Sequence, residues 1–162
     1  MKKILAVIII NLVIVSCYAQ VQEPDIWLFH IGESSQEVKK ILKDNHYIFK
    51  DINGIIITEN PTVNYLGVDW DKCAVFYIYD KVNALYFTRS SPSISLSEPL
   101  SLSKIKRLQD NLSDKFGEMR EIRNPSNRES RTYLWYINDF PIRLVIENQG
   151  IDAFILFGGK VD

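Results

Sequence analysis

Residues 73–89, CAVFYIYDKVNALYFTR, decide the fold. Aromatic and β-branched side chains fill residues 74–79 and again 82–88, and such side chains suit a pleated surface. Asp80-Lys81 is the polar break between the two runs, so the stretch predicts a β-hairpin with those two residues as its loop. In that register Tyr79 opposes Val82, Tyr77 opposes Ala84 and Val75 opposes Tyr86. Successive side chains alternate sides, so Tyr77, Tyr79 and Tyr86 share one face, and Ala74, Phe76, Ile78, Leu85 and Phe87 share the other. The second face predicts core, and the tyrosine face predicts a half-covered or binding surface. Asp-Lys is not a favoured type I′ pair, and a slip of one residue exchanges faces.

Outward from the hairpin, the order of elements repeats. Ser34 followed by Glu37 is a capping box, and Val38, Ile41 and Leu42 continue at helical spacing to an end near Asn45. Residues 47–49 and 55–58 predict strands joined across Asn53-Gly54, and residues 65–68 a further strand. Residues 90–103, Ser-rich with Pro92 and Pro99, predict a surface loop. A second helix follows over residues 102–116, with Ile105, Leu108 and Leu112 on one stripe and Gly117 as its stop. Residues 119–123 predict weak pairing, and residues 124–130 (NPSNRES) a polar loop. Three strands then close the chain, over residues 131–137, 142–147 and 151–157, with Asn138-Asp139-Phe140-Pro141 as the first turn.

This order predicts an α+β fold, with two helices packed on one face of an antiparallel sheet of about six to eight strands. Residues 31–89 and 101–158 are each a helix followed by a meander, the pattern of a tandem duplication. The two helix starts lie about as far apart as Trp70 and Trp135. One side of such a sheet is left to solvent or to a partner.

The N-terminus is of another kind. Lys2 and Lys3 precede an apolar run broken only by Asn11, then small residues, which predicts an export signal over residues 1–19. Two processing readings stay open: a cut before Gln20, or a lipobox at Ile14-Val15-Ser16-Cys17 with lipidation of Cys17. A leader over residues 20–30 then carries Trp27 and Phe29 into a single domain, residues 31–162. Location is accordingly periplasmic or secreted, or membrane-held through Cys17 alone. The formal charge of the whole chain is -1, and removing Lys2 and Lys3 makes it more acidic, so nucleic acid is not an expected partner.

Chemistry-bearing residues are sparse. Once the signal is gone Cys73 is the sole cysteine, so no internal disulfide forms. Cys73 with His30 or His46 could supply a thiol and a base for a small hydrolase, against the simpler reading of a buried apolar cysteine. Asp69-Trp70-Asp71 offers two carboxylates, too few for calcium, and reads as a strand-entry turn with solvated acids. No zinc spacing, phosphate loop or nucleophile elbow occurs, and no cofactor is expected. Aromatic residues are the stronger signal. Tyr77, Tyr79 and Tyr86, with Tyr133 and Trp135 of the last meander, would make an aromatic patch rimmed by Arg131, Arg143 and Glu147. In that meander Phe154 and Leu156 share a face opposite Ile155 and Phe157. The leading expectation is therefore a non-enzymatic binding module for another envelope or secreted protein, with carbohydrate binding on the aromatics as the alternative.

Ile31-Gly32-Glu33-Ser34-Ser35-Gln36-Glu37-Val38 resembles the "Gly, x, Ser/Thr, x, x, Glu, Val" start of the first helix in the BamE (SmpA/OmlA) and β-lactamase-inhibitor-protein superfamily. The resemblance covers about a dozen residues and the element order. Where that family has a glycine at the helix end, Asp44-Asn45-His46 stands here, and the second half has Ser101-Leu102-Ser103 at the equivalent place. It implies protein binding through the open sheet face without catalysis, and it carries over no functional residue.

Overall fold

A computed structural model describes residues 26–89, 99–123, 130–137 and 139–158. The expected signal, Cys17, most of the expected serine-rich loop and residues 124–129 of the expected polar loop lie outside the described residues.

Helix α1 (Ser35–Asp44) begins as the capping box requires. Glu37 N–H donates to Ser34 Oγ (3.3 Å), while Ser34 N–H and O–H donate to Glu37 Oε2 (2.9 and 2.7 Å). These bonds satisfy donors that a helix start leaves open. They hold the Glu37 carboxyl below its ordinary value, because they favour its charged form. A lowered folded value contributes stability that is present above the unfolded value and lost as pH falls through the folded one. Amide protection in α1 should therefore drop on acidification from pH 6 to pH 3, and Glu37→Gln should flatten that dependence. A Glu37→Gln protein with an unchanged pH profile would remove the carboxylate from this account. Helix α2 (Leu102–Phe116) ends at Gly117 (φ 87), as the sequence predicts, and Ser101 is its N-cap.

The strands are β1 (Phe49–Ile52), β2 (Ile55–Thr58), β3 (Val63–Tyr65), β4 (Val68–Trp70), β5 (Lys72–Ile78), β6 (Lys81–Arg89), β7 (Arg120–Arg123), β8 (Arg131–Ile137), β9 (Phe140–Glu147) and β10 (Asp152–Gly158). Eight form one antiparallel sheet in the order β1-β2-β5-β6-β10-β9-β8-β7. The fold is thus α+β on an antiparallel sheet. β3 and β4 form a separate two-stranded sheet. Here the expected single strand over residues 65–68 gives way to a hairpin, because Leu66 and Gly67 adopt left-handed φ (53 and 75) and reverse the chain.

The central hairpin forms, in a register one residue from the expected one. Tyr79 and Asp80, both at positive φ (51 and 60), make the two-residue loop, and Ile78 pairs with Lys81. A register shift between Phe76 and Tyr77 follows, with Asn83 as the extra residue. Beyond it Val75 pairs with Leu85, Ala74 with Tyr86 and Cys73 with Phe87. Leu85 and Phe87 remain on the core side as predicted, but Val75 joins them and Ala74 and Phe76 move to the other side.

Two sheet faces result. The buried face carries Cys73, Val75, Leu85, Phe87, Tyr133, Trp135, Ile142, Leu144, Ile155 and Phe157, all buried. Tyr65 of β3 stacks on Phe87 (4.5 Å, 6°), and Phe116 of α2 meets Phe157 edge-on (5.7 Å). Trp135 Nε1–H donates to Ser113 of α2 (3.1 Å). Trp27 meets Phe29, Tyr47 and Phe87, and Tyr65 O–H donates to the Ile26 carbonyl, so the leader does tuck into the domain. The reverse face carries Ala74, Phe76, Ala84, Tyr86, Phe154, Leu156, Arg143, Val145, Thr132 and Leu134, placed there by alternation and pairing; of these Ala84, Val145 and Leu134 are buried as well.

Candidate functional site

The reverse face is the candidate site. Across its middle runs a row of cross-strand neighbours: Ile57, Ala74, Tyr86, Leu156, Arg143 and Leu134. A second row runs Lys72, Thr88, Phe154, Val145 and Thr132. Directly opposed side chains in a sheet touch, but Arg143, Lys72, Thr88 and Thr132 interrupt the rows, and Leu134 and Val145 are only 2% and 7% exposed, so the apolar part at the surface is the middle of the face. The Tyr86 and Phe154 rings lie 5.5 Å apart at 47°, on the two middle strands. Both are half-buried, as are Phe76 and Leu156. Toward the margins apolar exposure rises, to 49% at Ile52, 52% at Ile78 and 42% at Tyr136.

The residues singled out from sequence are dispersed. Tyr86 lies on the reverse face, and so do Arg143 and Glu147, both half-buried. Tyr79 stands 96% exposed at the hairpin tip and belongs to neither face. Tyr77 is on the buried side, opposite Val82. Its hydroxyl is enclosed without a hydrogen-bond partner among the described residues, and burial pushes its pKa up, with the charges of Asp51 and Asp80 adding to the rise. Tyr133 and Trp135 share a face as expected, but it is the buried one, where they are 6% and 0% exposed. Arg131 is exposed on that same side, across from Ile146. An aromatic patch of these five rings therefore does not exist. The patch that does exist is built on Phe76, Tyr86, Phe154 and Leu156. Alternation in β10 had already set Phe154 and Leu156 together; the missing signal was which side the rest of the chain covers.

Cys73 is fully buried. Thr58, also buried, bridges its backbone: Cys73 N–H donates to Thr58 Oγ1 (2.9 Å), and Thr58 O–H donates to the Cys73 carbonyl (3.3 Å). Burial pushes the thiol pKa well up, the opposite of an activated nucleophile. His46 is exposed just past α1, and His30 Nε2 stands 4.0 Å from Glu33. Cys73 should resist a water-soluble thiol reagent at pH 8 in the folded protein and react at once in denaturant. Rapid labelling of the native protein would restore the thiol-enzyme reading.

Asp69 is exposed and accepts from Asn64 Nδ2–H (2.8 Å), whereas Asp71 is buried, against the expectation of two solvated acids. The cause is the turn into β5, where Asp71 N–H donates to the Thr88 carbonyl (2.9 Å) and continues the ladder inward. Among the described residues no group of three or more His, Cys, Asp or Glu could hold a metal ion, and no helix is long and apolar enough to cross a membrane.

No family model matches the chain, and neither a curated protein nor a solved structure matches it.

Proposed function

We propose that this is an exported, non-enzymatic binding module that engages another envelope or secreted protein through the reverse face of its sheet. The observation that carries the reading is the half-buried apolar cluster of Phe76, Tyr86, Phe154 and Leu156 in the middle of that face. Apolar surface of that kind on a sheet face favours association. The resemblance of residues 31–38 to the BamE and β-lactamase-inhibitor-protein superfamily agrees with it.

The layering belongs to the same reading: both helices lie over the buried face. The Trp135–Ser113 hydrogen bond and the Phe116–Phe157 contact support this for α2, and the Lys39–Asp51 ion pair, with Asp51 opposite the buried Ile56, supports it for α1. A tandem duplication fits as well. The strand order is the same path read from either edge, helix plus four strands each way, with β3 and β4 inserted in the first half. The step from the N-cap Ser34 to the N-cap Ser101 nearly equals the step from Phe87 to its partner Ile155.

A photo-cross-linking residue at position 86 or 154 tests the site in the native cell envelope. Both should give an adduct with the same exported protein, and the same residue at Leu102, 81% exposed on α2, should give none. No adduct, or equal adducts from all three positions, overturns the reading. Mass spectrometry of the mature N-terminus decides between a chain starting at Gln20 and one starting at lipidated Cys17.

A further inference from the structure

We draw no further inference here: the strongest candidate, the exposed tip of the central hairpin formed by Ile78 and Tyr79, carries nothing, because nothing in the structure shows what covers it.

Discussion

Phe87→Ala should cost the domain roughly 3–5 kcal/mol of folding stability, while Tyr86→Ala, one residue earlier, should cost about 1 kcal/mol. The contrast follows from alternation. Phe87 is 0% exposed and its ring contacts those of Trp27, Tyr65, Trp70 and Phe157. Truncation there leaves a cavity lined by large, mutually braced rings that cannot all collapse inward. The loss is comparable to the whole stability of a marginal domain, so the variant should be largely unfolded or melt near ambient temperature. Tyr86 is half-buried, and among the described residues its ring contact is Phe154. Its loss forfeits one aromatic pair and some area already shared with water. Urea unfolding followed by tryptophan fluorescence measures both. Equal losses would mean that the two sheet faces have been assigned the wrong way round, and with them the candidate site. Phe87→Leu, which refills most of the volume, should recover a large part of the difference.

How far the sequence led to this picture depended on whether each feature was local. Both helices were legible because their limits are set locally: Ser34 with Glu37 at the start of the first, and Gly117 at φ 87 at the end of the second. The meander was legible from Asn53-Gly54 and the polar breaks. Pairing of Arg120–Arg123 with β8 also appeared where it was expected. Register in the central hairpin was not legible. Neither Tyr79-Asp80 nor Asp80-Lys81 is a preferred turn pair, and the choice was settled at a distance. Val82 N–H donates to the Glu33 carbonyl and its own carbonyl accepts from Gly32 N–H (both 2.8 Å), which fixes Val82 facing inward opposite Tyr77. Once that pairing is held, the extra residue Asn83 puts Val75 and Cys73 in the core and releases Ala74 and Phe76 to the other side. Tyr133 and Trp135 show the second kind of limit. Their shared face was right, yet its burial rests on contacts from outside the strand, such as the Trp135–Ser113 hydrogen bond. Period-two patterning assigns residues to sides; it does not say which side is wet when both are apolar.

The irregularity that moved the register also supplies the other large expected effect. Gly158, at φ 82, ends β10 opposite Ala84, and a Cβ built there would lie 2.5 Å from the Asn83 carbonyl oxygen and 3.2 Å from the Phe140 ring. Asn83 is the extra residue of the hairpin, so its carbonyl is pressed toward β10 by the same bulge. Gly158→Ala meets backbone there, and backbone cannot rotate aside as a flexible side chain can. The left-handed conformation costs about 1 kcal/mol for alanine, and forcing the strands apart adds about 1–3 kcal/mol. A total of roughly 3 kcal/mol is expected. Gly54→Ala is the internal control. Its φ of 81 is almost identical, but nothing lies within 4 Å of the added carbon, so only the conformational cost of about 1 kcal/mol remains. Chemical denaturation of both variants separates crowding from conformation. If Gly158→Ala costs no more than Gly54→Ala, the approach of Asn83 to β10 is looser than described. The bulge would then have a second arrangement open to it, in which Phe76 and Ala74 could return to the core and the reverse face would lose one flank.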